Sequence, residues 1–151
     1  MSACAIMGIL IILAIAIGMH KRSSSIEDTT NQSNTLDMQE TTTASGLRYT
    51  IIKEGTGAIA ASGQTVSVSY VGMLEDGTIF DASANHGGAF DFPLGAHQVI
   101  AGWDEGVAGM KVGEERKLVI PGNLAYGPSG IPGTIPPNAT LIFDVTLLAI
   151  K

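Results

Sequence analysis

Alternation of apolar and polar residues governs what residues 46–151 can become. Leu47, Tyr49 and Ile51 are separated by polar or less apolar neighbours, Val66, Val68 and Tyr70 enclose Ser67 and Ser69, and Leu141, Phe143, Val145 and Leu147 oppose Asp144 and Thr146. A period of two puts successive side chains on opposite faces of an extended chain, so each run predicts a strand with one face on a core. Residues 114–120, EERKLVI, form a further candidate strand. Glu75-Asp76-Gly77-Thr78 reads as a hairpin turn in which Asp-Gly supplies the positive φ angles of type I′.

One stretch departs from this period. Between Val99 and Val107 the apolar residues fall at 99, 100, 103 and 107, the spacing of one helix face. The glycines within it weaken helix propensity, so the helix is expected to be short and supported by packing. Several antiparallel strands with one short helix predict an α+β architecture, a sheet curled over that helix. Residues 121–138 carry five of the six prolines and four glycines. Proline fixes φ and lacks an N–H, so this stretch is expected to be a long structured loop, a kind that often serves function.

Two segments of different character precede the domain. Ala3–Met19 is an uninterrupted run of seventeen apolar or glycine residues, followed by His20, Lys21 and Arg22. About 20 residues match the hydrocarbon core of a bilayer, so residues 1–22 read as a membrane anchor or signal segment, with a buried core helix as the bland alternative. Lys21 and Arg22 favour a cytoplasmic C-terminal flank, whereas export is the common fate of a small domain behind such a run, so the periplasmic or extracytoplasmic face is the expected location. Residues 23–45 contain eleven Ser or Thr and no Gly, Pro or aromatic residue. Such a segment buries too little surface to offset its ordering entropy and is expected to be a disordered polar linker, the alternative being an extension docked on the domain. Asn31-Gln32-Ser33 fits a glycosylation sequon.

Charge and metal-ligand chemistry narrow the function. Eight Lys and Arg stand against fourteen Asp and Glu, and no basic block exceeds two residues, which excludes a nucleic-acid partner. A single cysteine, Cys4, allows no internal disulfide, Cys/His zinc spacing is absent, and His20, His86 and His97 are scattered. No metal and no cofactor are expected.

Four stretches in fixed order carry a resemblance: Tyr70 to Asp81 (YVGMLEDGTIFD), Val99 to Gly106 (VIAGWDEG), Ala125-Tyr126-Gly127, and Ile135 to Val145 (IPPNATLIFDV). Together they resemble the FKBP-type peptidyl-prolyl cis–trans isomerases over about residues 46–151, and the N-terminal extension is similar to that of the exported, Mip-like bacterial members. The resemblance implies an antiparallel five- to six-stranded curved sheet around one short helix, with an apolar cleft that holds a prolyl ring. It implies Trp103 as the cleft floor, Tyr70, Phe90 and Phe143 as aromatic walls, and Val99 and Ile100 at the edge, with the Ile100 N–H offered to a substrate carbonyl. Phe80 and Ile135 would complete the lining, Asp81 would orient polar groups at the rim, and the Tyr126 hydroxyl would bond the peptide. The implied partners are proline-containing polypeptides and macrolide inhibitors of the FK506/rapamycin class, with a membrane met through the N-terminal segment.

Departures from the pattern matter too. His86 stands where many members carry Arg, which implies the loss of a partner for Asp81 and Tyr70. Ile131 and Thr134 replace a frequent loop His and an apolar residue.

Taken singly, Tyr70, Trp103 and Phe143 each read as core, Asp81 as a strand-end residue and Tyr126 as a loop anchor; their joint occurrence is what suggests a site. The implied chemistry is isomerisation of X-Pro bonds, which needs no nucleophile, only tighter binding of the twisted amide. Two alternatives are a non-catalytic peptide-binding or chaperone module using the same cleft, and an interaction domain tethered at the membrane.

Overall fold

The computed structural model describes residues 38–151. The segment 1–22, read as anchor or signal, and most of the linker 23–45 lie outside the described residues. Among the described residues no helix is long and apolar enough to cross a membrane.

Seven strands form one antiparallel sheet: β1 (Glu40–Thr42), β2 (Arg48–Lys53), β3 (Thr65–Leu74), β4 (Ile79–Ala82), β5 (Phe90–Pro93), β6 (Glu115–Ile120) and β7 (Leu141–Ile150). Their order is β1-β2-β6-β7-β3-β4, with β5 paired to the other half of β3. The two longest strands lie side by side at its centre, Tyr70 opposite Val145 and Gly72 opposite Phe143. The period-two runs are confirmed as strands. Val66, Val68, Tyr70, Leu118, Ile120, Leu141, Phe143, Val145 and Leu147 are all buried on one face. Among the described residues one α-helix, α1 (Ala101–Gly106), lies against that face, with Trp103 and Val107 turned into the core.

The count of seven exceeds the expected five to six because it includes three strands of only three or four residues, β1, β4 and β5. β1 falls inside the stretch read as linker, its three residues exposed and paired to β2 from Glu40↔Thr50 to Thr42↔Arg48. A composition that buries nothing still allows an exposed edge strand, because pairing there uses the backbone and β-branched threonine suits it. The ordered domain therefore starts before residue 46.

The hairpin between β3 and β4 also differs from expectation. Leu74 accepts from the Gly77 N–H and donates to the Thr78 carbonyl, each at 2.9 Å, and of residues 75–78 Gly77 alone has positive φ, at 86°. A type I′ turn needs two positive φ angles; this is the three-residue loop closed by a left-handed glycine. The Asp76 carboxylate accepts the Thr78 N–H at 2.8 Å, which ties Asp76 to its own turn instead of the left-handed region.

The helix lies on β6 at unusually short range. A Cβ on Gly102 would stand 2.4 Å from Ile120 Cγ2, and one on Gly106 would stand 2.8 Å from Leu118 Cδ1. The glycines that weaken the helix in isolation are the residues that let it dock. Alanine at 102 gains about 1 kcal/mol in helix propensity but loses about 1–3 kcal/mol to overpacking against the fully buried Ile120. Gly102→Ala is therefore expected to lower the urea midpoint, and an unchanged or raised midpoint contradicts the close approach.

Candidate active site

Between α1, the β3–β4–β7 surface and the loops flanking them lies a cleft of about 440 Å³. Its floor is Trp103, 4% exposed, which α1 projects toward the sheet. Four rings surround the indole. Tyr70 meets it edge-on at 4.9 Å between centroids, Phe143 at 5.2 Å and Phe90 at 6.1 Å, while Phe92 tilts beneath at 5.5 Å. Phe80 stands perpendicular to Phe143 at 5.5 Å. Edge-to-face pairs add about 0.5–1.5 kcal/mol each beyond area burial, so the walls are braced on one another. The indole Nε1 is buried with no hydrogen-bond partner among the described residues.

A bulge explains why Phe80 and Asp81, consecutive residues, both line the cleft. Gly72 pairs with Asp81 while Met73 pairs with Ile79, so β4 carries one extra residue. Strict alternation would send one of the two outward; the bulge re-aims the chain, as bulges near functional sites often do.

The polar groups of the rim form a connected set. Tyr70 Oη donates to Asp81 Oδ2 at 2.7 Å, the Ala82 N–H donates to Asp81 Oδ1 at 2.8 Å, and His86 Nε2 lies 2.7 Å from Asp81 Oδ1. His86 thus corrects the expectation that it leaves Asp81 without a partner. The 3-10 turn Ser83–His86 folds the imidazole back over the carboxylate five residues earlier, a return that strand patterning does not reveal. Burial pushes the Tyr70 hydroxyl well above the ordinary phenol range, and the hydrogen bond and charge of Asp81 push it further. Burial, followed by the Asp81 charge, also raises Tyr126. Both phenols stay protonated at neutral pH, and that of Tyr70 donates to Asp81. Burial alone would raise Asp81, but hydrogen bonds from Tyr70, His86 and the Ala82 N–H outweigh it and hold the carboxyl below its usual value.

Of the sequence candidates, Tyr70, Phe80, Asp81, Phe90, Val99, Ile100, Trp103, Tyr126 and Phe143 converge on this cleft. Ile135 does not. It is 3% exposed, its backbone pairs with Ile131 in both directions at 2.8 Å, and it lines a separate cavity of about 460 Å³ between Leu74 and the Pro-rich loop. The loop folds onto itself as a small hairpin, which carries Ile135 away. Gln98 also lines the cleft and was not anticipated, because a lone polar residue before a helix carries no pattern. Among the described residues no group of His, Cys, Asp or Glu could hold a metal ion.

A sheet wrapped over a short helix, with an aromatic cleft whose lining holds no Ser, Thr, Cys or Lys, has the shape to receive an apolar ring. Comparison with known proteins gives this arrangement its family. The family model described as FKBP-type peptidyl-prolyl cis-trans isomerase matches residues 57–148. The chain is similar to FK506-binding protein 1 of Dictyostelium discoideum, 55% identical over 106 residues that cover 70% of this chain and 99% of that protein. It is also similar to peptidyl-prolyl cis-trans isomerase FPR2 of Saccharomyces cerevisiae, 56% identical over 61% of this chain and 69% of that protein. Among solved structures, FkpA from Escherichia coli superposes with a TM-score of 0.68 at 46% identity, over 74% of this chain and 51% of that one. AtFKBP13 superposes with a TM-score of 0.70 at 35% identity, over 75% and 99%. The chain belongs to the FKBP-type peptidyl-prolyl cis–trans isomerase family. Its activity is the cis–trans isomerisation of peptidyl-prolyl bonds.

The lowered Asp81 fixes a pH dependence. A carboxyl depressed in the folded state contributes stability that is fully present above the unfolded value of about 3.9 and is lost as pH falls through the lower folded value. The carboxyl-carbon NMR titration of Asp81 is expected to have its midpoint below that of a free Asp. A midpoint above it contradicts the hydrogen-bonded rim.

Proposed function

We propose that the Trp103 cleft takes up the proline of an X-Pro segment and accelerates rotation by favouring the twisted amide over the planar one. The planar amide is held by resonance, with a barrier of about 18–20 kcal/mol. Twisting removes that resonance and makes the carbonyl less polar, so an apolar, ring-walled cleft binds the twisted form better, which is what catalysis by differential binding requires. The prolyl ring rests on Trp103, between Tyr70, Phe90 and Phe143, with Phe80 closing the far side and Val99 and Ile100 forming the edge. The Ile100 N–H, which has no acceptor among the described residues, and the Tyr126 hydroxyl hold the flanking carbonyls. Asp81 orients the rim through Tyr70 and His86 and transfers no proton.

The observation that carries this reading is the indole floor ringed by aromatics set edge-on to it. The test is an exchange assay on the full chain with Ala-X-Pro-Phe peptides. Trp103→Leu and Asp81→Val are each expected to lower kcat/KM about tenfold or more, the equivalent of about 1.4 kcal/mol of transition-state binding. Phe143→Tyr, which adds a hydroxyl at a buried wall, is expected to lower it as well. Folded variants as active as the wild type refute the cleft assignment.

Two finer readings follow. Relatives named for FK506 binding support the same cleft as the site for macrolides of the FK506/rapamycin class, which then compete with the peptide. The apolar run Ala3–Met19 supports an exported or membrane-anchored protein of Mip-like type, on the periplasmic or extracytoplasmic face. Similarity to proteins of Dictyostelium and yeast shows that the isomerase domain itself is not confined to bacteria. After carbonate extraction of cells making the chain, the protein is expected in the membrane pellet at full mass, or soluble at reduced mass if the segment is cleaved. A soluble protein of full mass contradicts both.

A further inference from the structure

The segment between β5 and α1, Leu94–Ile100, forms one rim of the cleft but has little structure of its own. Among the described residues the N–H groups of Gln98, Val99 and Ile100 find no acceptor, and Ala96 reaches the Pro93 carbonyl only at 3.4 Å. Of the other three N–H groups, Leu94 donates to the Gln64 carbonyl at 2.8 Å, while those of Gly95 and His97 converge on one carboxylate. Gly95 donates to Asp104 Oδ1 at 2.8 Å and His97 donates to Asp104 Oδ2 at 3.0 Å. His97 sits at φ 57°, left-handed backbone that a side-chain-bearing residue holds only when its surroundings impose it. Its ring is 89% exposed and its Nδ1 is 3.6 Å from Asp104, so the carboxylate, not burial of the imidazole, supplies that constraint. The Asp104 side chain is only 10% exposed and directly follows Trp103 in α1.

We propose that Asp104 is a positioning residue for peptide capture. Its carboxylate fixes the Gly95–Ile100 rim at a set height above the Trp103 floor and thereby aligns the Val99–Ile100 edge with the bound peptide. The proposal rests on the cleft reading given under Proposed function. The rim touches residues flanking the proline, which are alike in the planar and twisted states. Its contacts are therefore uniform binding and act on KM, whereas the floor acts on kcat.

The test is the kinetics of the full chain carrying Asp104→Ala, Asp104→Asn or Asp104→Glu, with amide hydrogen exchange read at Gly95 and His97. Asp104→Ala is expected to raise KM about tenfold with kcat within about twofold, and to speed exchange at both amides. Asp104→Asn keeps one acceptor oxygen and falls between, and carries the comparison if the alanine variant does not fold. Asp104→Glu, which restores two acceptor oxygens one methylene further out, is expected to recover most of the loss. A folded Asp104→Ala with freely exchanging amides and unchanged KM overturns the proposal, as does a fall in kcat at constant KM. Trp103→Leu, assayed alongside, separates the two readings: if it leaves kcat untouched the cleft assignment fails, and the positioning role fails with it.

Discussion

Trp103 reaches the cleft because α1 can lie on β6 closer than any side chain would permit. The inward row of β6 is Arg116, Leu118 and Ile120. Gly106 faces Leu118 and Gly102 faces Ile120, four residues along the helix matching two along the strand. Helix and strand are thereby locked in one register, and a six-residue helix that would not survive alone becomes a fixed part of the core. Trp103 and Asp104 lie between the two glycines, so floor and rim both inherit their position from that contact.

The third member of the β6 row extends the same registration by polar means. Arg116 Nη1 donates to the Gly106 carbonyl at 2.9 Å, at the C-terminal end of α1, where a cation also suits the helix dipole. Its Nε and Nη2 lie 2.8 and 2.6 Å from Glu114 Oε1, while Glu114 Oε2 accepts the Lys111 N–H at 3.0 Å. The guanidinium also covers the Tyr49 ring of β2 at 4.5 Å. Both charged side chains are almost fully buried. Desolvation offsets much of the attraction in such a pair, yet removing one partner strands the other at a cost of about 3–5 kcal/mol. The pair therefore acts less as a source of net stability than as a penalty on any other seating of the helix against the strand.

How far the sequence reveals this depends on whether a feature is local. The strands at 65–74 and 141–150 were legible because their alternation is long, and the helix because its period differs. β1 was not, since three exposed residues in a Thr-rich stretch carry no burial pattern. The short, packing-supported helix matches expectation, but the docking role of Gly102 and Gly106 was not legible, because propensity concerns the isolated helix and these glycines answer to Ile120 and Leu118 on another element. Most of the cleft was anticipated through resemblance to a family, not through periodicity. The misplaced candidate, Ile135, lies in a Pro-rich loop whose internal hairpin depends on the Ile131–Ile135 bridge. The Asp81–His86 contact and the hold of Asp104 on the preceding loop are short returns of the chain through irregular backbone, for which no residue pattern exists.

The cleft's chemistry follows from what its polar groups are already doing. The Asp81 carboxylate is engaged by Tyr70, His86 and the Ala82 N–H, and the Tyr70 hydroxyl is held protonated by burial and by that carboxylate. Tied together in this way, the rim is poorly suited to exchange protons with a substrate and well suited to keep its geometry. A millionfold acceleration needs ~8 kcal/mol of preference for the transition state. In the proposed mechanism, which forms no covalent intermediate, that preference has to come from a site already shaped for the twisted amide. In the cleft mechanism proposed above, edge-to-face bracing of Tyr70, Phe90 and Phe143 around Trp103 is what would meet this need, because rings that support one another keep an apolar space open and do not have to reorganise to take up a peptide.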